Sequence, residues 1–241
     1  MNLLVREPGR PRLTWYGDDG ERIELSGAVL VNWISKTTNL VVEEFDAGPG
    51  CRLLIDLPPH WRTAVWVLGA LRAGATAVLP GAAGAPDGRE VDVTVTTRPS
   101  ETTETGDVVA VTLPALARRF DGELPPGAID AAAAVMTYAD QILYVPDADP
   151  TEPAIVAPAE RAPVRVLHGD LLGWAAGAPG LVPGARAVVD GRLPLLDALR
   201  LMLALWVSDG SVVLTSAATA AALEADPERQ ARVLDQEGVT A

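Results

Sequence analysis

The stretch Cys51–Pro80, CRLLIDLPPHWRTAVWVLGALRAGATAVLP, constrains the fold of this chain most strongly. It reads as strand, helix, strand. Leu53, Leu54, Ile55 and Leu57 make a short apolar run stopped by Pro58 and Pro59. The spacing then predicts a helix with Trp61, Ala64, Val65, Leu68 and Leu71 on one face, ended by Gly74. Ala75–Leu79 begins the next strand. Two buried strands joined through a helix must lie parallel, and such crossovers are right-handed almost without exception.

The rest of the chain continues the alternation. Arg12–Leu25 predicts a hairpin turning at Asp18, Asp19 and Gly20. Ser26 is placed to cap a helix that runs to about Phe45, with Leu30, Trp33, Ile34, Leu40 and Val41 at helical spacing. Val91–Thr97, VDVTVTT, alternates strictly and predicts a strand, as does Val108–Leu113. Leu116–Phe120 reads as a helical turn and Ile129–Tyr138 as a helix. Ala154–Ala157 and Val164–Leu167 read as strands, and a helix starts within His168–Ala176. Leu195–Val207 reads as a buried helix and Ser211–Thr215 as a strand. Ser216 opens a helical segment, and Asp226–Gln236 forms a last helix with Pro227 in its first turn and Gly238 after it. The expected class is α/β, with largely parallel sheets flanked by helices. The polar, proline-bearing Asp147–Pro153 is the expected boundary between a first subdomain, 1–150, and a second, incomplete one, 151–241.

Composition excludes several functions. The chain has 241 residues, 49% of them hydrophobic, which is ample for a sizeable core. Its formal net charge is −13, whereas nucleic acid and anionic membrane both need clustered cations. Neither is expected as a partner. Cys51 is the only cysteine, so neither an internal disulfide nor a cysteine metal site can form. Its place at a strand start suits a small core residue. The N-terminus lacks the apolar run of a signal peptide, and Leu193–Val207 is too short and too interrupted by charge to cross a bilayer. A soluble, cytoplasmic protein is expected.

Three segments together resemble the N-terminal part of the adenylate-forming superfamily, the AMP-dependent acyl-CoA synthetases and ligases, nonribosomal peptide adenylation domains and luciferases. Leu13–Ala28 with the helix to Phe45 is similar to that family's opening hairpin and first helix. Gly48–Pro80 follows its strand–helix–strand element nearly step by step. Leu193–Thr240, with LPLLDALRLMLALWVSDGSVVL and DPERQARVLDQEGVT, resembles a later helix–strand–helix stretch of it. The whole is similar to a small actinobacterial group of truncated proteins of this kind.

The departures matter more for function. The family holds ATP phosphates with a Ser/Thr/Gly-rich loop whose backbone N–H groups and hydroxyls cradle them. The matching region, Pro153–Leu172, keeps the strand and the downstream His168 and Leu171. Between them, Ala157–Arg165 has no Ser, Thr, Gly or Lys, offers only Arg161 and Arg165 as cations, and contains Pro158 and Pro163, which lack an N–H. The family's adenine motif, ribose-binding aspartate, hinge and catalytic lysine lie beyond Thr240, and Asp197 stands near the position of a family histidine. The resemblance therefore implies no ATP or AMP cofactor, no catalytic residue, and a pseudoenzyme.

Other constellations are weak. His60 and His168, the only histidines, lie far apart and read as surface or helix-end residues; His168 with Asp170 suits a helix cap. No metal site is expected. Ser208, Ser211 and Ser216 lack the G-x-S-x-G context of a hydrolase nucleophile. The six tryptophans fall mainly on apolar helix faces and read as core. The expectation is a truncated, non-catalytic relative acting as a binding or protein-interaction module. It would carry a homodimer contact or a protein partner on its C-terminal face, near Leu195–Val207 and the last helix. Arg165, His168 and Asp197 are the candidate lining of a retained small-molecule pocket. The alternative is an acyl-activating ligase component whose ATP site needs a partner chain.

Overall fold

The computed structural model describes residues 3–81, 84–178, 180 and 182–241, the side chain of Asp19 excepted. In chain order the elements are β1 (Pro11–Tyr16), β2 (Arg22–Ser26), α1 (Gly27–Phe45), β3 (Arg52–Asp56), α2 (Trp61–Arg72), β4 (Thr76–Val78), β5 (Val93–Thr96), β6 (Asp107–Ala110), β7 (Ile129–Asp130), α3 (Ala131–Ala134), β8 (Pro153–Ala157) and β9 (Val164–Leu167). They continue with α4 (Leu171–Ala176), β10 (Arg186–Val189), α5 (Leu195–Val207), β11 (Ser211–Thr215), α6 (Ala217–Ala225) and α7 (Pro227–Gln236).

The chain forms two compact units, each contributed by separated segments. One comprises Met1–Val31, Pro58–Ala64 and Leu172–Ala241; the other comprises Asn32–Leu57 and Val65–Leu171. The expected boundary near residue 150 is not where the units divide. β8 and β9 belong to the same sheet as β3 and β4, because β8 adds in parallel to β4 through Ala77↔Ile155 and Val78↔Val156. Asp147–Pro153 is an exposed connection that returns the chain to that sheet.

The first unit holds a four-stranded sheet of order β10-β11-β1-β2. β1 and β2 form the expected antiparallel hairpin, and β11 runs parallel to both β1 and β10. α5 lies on β10 and β11, and its Ala198, Leu199 and Met202–Trp206 are buried. β10 has no counterpart in the sequence reading; its only apolar signal is Val188–Val189 ahead of Asp190–Gly191. Two buried charge clusters tie this unit together. Arg12, fully buried, donates to the carbonyls of Leu3, Asp209 and Gly210 and to Asp209 Oδ1 at 2.7 Å. The Glu237 carboxylate, just past α7, accepts from Tyr16 at 2.6 Å, Arg22 at 2.9 Å and Arg186 at 2.5 Å. Burial opposes the Glu237 charge, but these donors hold its pKa below the usual carboxylate range.

The second unit holds a seven-stranded sheet of order β7-β6-β5-β3-β4-β8-β9. Every neighbouring pair is parallel except β8 and β9. The chain lays β4 on one side of β3 and then returns to lay β5 on the other. Strict alternation in VDVTVTT predicts a strand with one wet face. All four residues of β5 are instead buried, as befits a parallel strand covered on both faces. α2 is likewise buried all round over Trp61–Val67, with Leu68 and Leu71 half-buried and Arg72 exposed at its end. Leu116–Phe120 does not form a helical turn; a bend and turn at 114–116 leave Leu116 93% exposed. The helix expected over Ile129–Tyr138 shortens to β7, α3 and a 3₁₀ turn at Val135–Thr137. Among the described residues no helix is long and apolar enough to cross a membrane.

Candidate functional site

In an open parallel sheet, the connections above and below diverge where strand order reverses. A crevice opens there at the carboxyl ends of the strands. In the second unit that point lies between β3 and β5. A cavity of about 250 Å³ occupies it, lined by Leu54 and Asp56 of β3, Thr94 of β5, Pro80 and Gly81 after β4, and the Arg98–Glu104 segment.

The strand register places its polar groups. Leu54 pairs with Thr94 and Asp56 with Thr96, so these four side chains share one face of the sheet. Deeper on that face, Leu54, Val78, Val91 and Val156 form an apolar cluster. Toward the carboxyl edge the face turns polar. Thr96 Oγ1 donates to Asp56 Oδ2 at 2.8 Å and accepts from the Arg98 N–H at 3.0 Å. The Arg98 guanidinium lies 3.3 Å from the same Asp56 oxygen and 3.5 Å from Glu101 Oε2. Thr94 is only 2% exposed, and its Oγ1 has no hydrogen-bond partner among the described residues. Gly84 has φ +92° and bridges to Gly81, and a Cβ there would collide with Glu104 Oε1. The glycine therefore makes room for that carboxylate at the cavity rim. Sequence reasoning missed this site. The available signal was the crossover at Cys51–Pro80 followed by a second parallel strand, which locates a reversal of strand order but not its polar lining.

The region matching the family's phosphate loop is the connection of a β-hairpin. β8 and β9 pair antiparallel with Ala157 opposite Val164, and residues 158–162 between them are exposed. A shallow cavity of about 340 Å³ beside it is lined by Pro158, Ala159, Arg161, Ala162 and Pro163 together with Gly81 and Pro86. Such a surface presents few N–H donors to a phosphate.

The three residues expected to line a pocket do not converge on either cavity. Arg165, on β9, reaches Asp87 Oδ2 at 3.3 Å. Asp87 is also bound by Arg52 at 2.7 Å. Burial raises the Asp87 pKa, but the Arg89 N–H, Arg52 and Arg165 together bring it below the ordinary value. His168 follows β9 at the opposite, amino edge of the sheet. Its Nε2 lies 3.2 Å from the Ala75 carbonyl, ahead of β4, and so carries the proton. Burial lowers its pKa, although the carbonyls of Ala75 and Gly74 and the carboxylates of Asp149 and Glu152 work against that. Asp197 belongs to the first unit. It is exposed in the first turn of α5, where the helix dipole favours an acidic side chain.

His60 departs from the surface position expected of it. It does sit at a helix end, where its Nδ1 accepts the Arg62 N–H at 3.0 Å and its carbonyl accepts from Ala64. It is only 3% exposed and meets the Trp15 ring edge-on at 4.3 Å. Burial, aided by the Arg62 charge, pushes its pKa down to about 3. The Cys51 thiol is pushed up to about 11 by burial and the nearby Asp92, which suits a packing role. Among the described residues no group of three or more His, Cys, Asp or Glu could hold a metal.

Comparison with known proteins decides the fold. An acyl-CoA synthetase of Brucella canis superposes on 99% of this chain with a TM-score of 0.75 at 18% identity. The chain has the fold of an adenylate-forming enzyme. An amide bond synthetase variant of Marinactinospora thermotolerans likewise covers 99% of the chain, with a TM-score of 0.65 at 16% identity. The chain spans 45% of the first of these proteins and 46% of the second. In sequence it is 38% identical over 158 residues to a protein of Mycobacterium tuberculosis whose name gives a family designation and no activity. That match covers 61% of each chain. No family model matches the chain.

Proposed function

We propose that this chain is a binding module built on part of an adenylate-forming fold, without adenylate chemistry of its own. The observation that carries the reading is the β8–β9 connection. Where this fold family would place a loop rich in hydroxyls, glycines and N–H groups, the chain has an exposed hairpin loop, PAERAP, with two prolines. Charge agrees with this, since a chain of net charge −13 repels a triphosphate unless a dedicated cradle offsets the repulsion. A protein partner, in the first instance a second copy of the chain, belongs to the same proposal.

The test is thermal unfolding with and without Mg–ATP. A ligand at a hundred times its Kd stabilises the native state by about 2.7 kcal/mol, a readily visible rise in Tm. No rise is expected at millimolar Mg–ATP. A saturable rise would overturn the reading and favour the alternative, an acyl-activating component. The close superposition on an acyl-CoA synthetase supports that alternative. It would then be pursued by pyrophosphate exchange in the presence of a partner chain.

A further inference from the structure

We propose that the cavity between the carboxyl ends of β3 and β5 is a binding site for a small organic ammonium ion bearing a hydroxyl or second amino group. Three observations carry this. The cavity lies where strand order reverses in a parallel sheet, the position at which this architecture leaves a crevice. Its charge is unbalanced: Asp56, Glu101 and Glu104 face a single cation, Arg98, which Asp56 and Glu101 already engage. An anion finds no uncommitted positive group there, whereas a cation finds Glu104 outside the Arg98 pairs and a net negative lining.

The third observation does not depend on charge. Thr94 is more than nine-tenths buried, lines the cavity, and leaves its hydroxyl without a partner. A buried polar group without a hydrogen bond is destabilising, so the site gains from a ligand that brings a donor or acceptor to that depth. An ammonium has three N–H donors to divide between a carboxylate and a hydroxyl. A bare metal ion fits less well, because among the described residues no three ligating side chains converge. The cavity is small beside the roughly 300–1,000 Å³ of drug-sized sites, which limits the ligand to a short amino alcohol or diamine.

The inference deepens the binding-module reading and rests on it, but the two fail separately. Stabilisation by Mg–ATP overturns that reading without touching this site, and a failure to bind amines removes this site and leaves that reading standing. The experiment is titration calorimetry of the full chain with ethanolamine and putrescine as chloride salts, at matched ionic strength, with acetate and glycerol as controls. Saturable binding of an amine but of neither control is expected. Asp56→Asn keeps acceptors for Thr96 and Arg98 and removes the charge; Thr94→Val keeps the shape and removes the hydroxyl. Each is expected to weaken amine binding tenfold or more, while Thr94→Val unfolds at the same or a higher temperature. Absence of amine binding, equal binding of acetate or glycerol, or unchanged binding by both folded variants would each overturn the assignment.

Discussion

His60 stays neutral in the folded chain because its ring is buried against Trp15 and its Nδ1 is engaged by the Arg62 N–H. On unfolding, its pKa returns from about 3 to the ordinary 6.5. Between those values the unfolded chain binds a proton that the folded chain refuses. The His60 contribution to stability is therefore complete above pH 6.5 and is lost as pH falls toward 3, at up to about 1.4 kcal/mol per pH unit. Asn keeps a capping acceptor without titrating. Urea unfolding of His60→Asn between about pH 4 and pH 6 should give a pH slope shallower than the parent's by about one proton, whatever the change in absolute stability. Equal slopes would show that the imidazole ionises freely in the fold. The sequence displayed half of this. Pro59 before and an apolar helix after placed His60 at a helix start, but nothing local signals Trp15 packing on it. Thr94 was hidden in the same way. Alternation assigned it to a wet face, and only the covering of both faces of β5 leaves its hydroxyl alone.

At the scale of elements, α1 and α2 approach closely through a glycine. A Cβ on Gly69 would lie 2.8 Å from Thr37 Cγ2, and Thr38 Oγ1 lies 3.4 Å from the Gly69 carbonyl. Alanine is worth about 1 kcal/mol over glycine in an exposed helix. Overpacking a filled contact loses about 1–3 kcal/mol, so Gly69→Ala should destabilise on balance by about 1 kcal/mol. Adding Thr37→Ala removes the opposing methyl and should restore most of the loss, a non-additivity that denaturant unfolding of the two single variants and the double variant would measure. A stabilised Gly69→Ala would mean the helices yield at no loss. Elements with chemical punctuation were legible. The Ser26 hydroxyl accepts from Val29 at the start of α1, Ser216 caps α6 through Thr219, and Asp226 caps α7 through Arg229. Unpunctuated ones were not. β10 is short, and its pairing with β11 comes from chain far along the sequence. Leu116–Phe120 has helical composition but leaves its one leucine exposed.

For the whole molecule, the pairing of distant strands was not legible in local patterns. The first strand, β1, pairs with the last, β11, through Leu13↔Val212 to Tyr16↔Thr215, a register no window of sequence displays. The same scale decides where a second copy could dock. A contact was expected near Leu195–Val207 and the last helix, and the apolar side of Leu195–Val207 is turned into its own unit. α5 is covered by its own unit, and α7 has no buried residue and a mostly polar surface. The four-stranded sheet has two outer edges among the described residues, β2 and β10, and β10 is the one that carries an exposed apolar side chain. Thr240 covers only its first residue, donating to the Arg186 carbonyl at 2.8 Å and accepting the Arg186 N–H at 3.0 Å, while Val188 is 38% exposed. Two such edges related by a two-fold axis would pair. Each copy carries a net charge of −13, so the dimer should tighten as salt screens the repulsion, the reverse of an association held by opposite charges. Sedimentation equilibrium at low and high salt should show a monomer–dimer balance moving toward dimer with salt. Val188→Lys, a charge on the edge, should hold the chain monomeric at both. A monomer at every salt concentration, or a dimer indifferent to Val188→Lys, would rule out β10 as the contact.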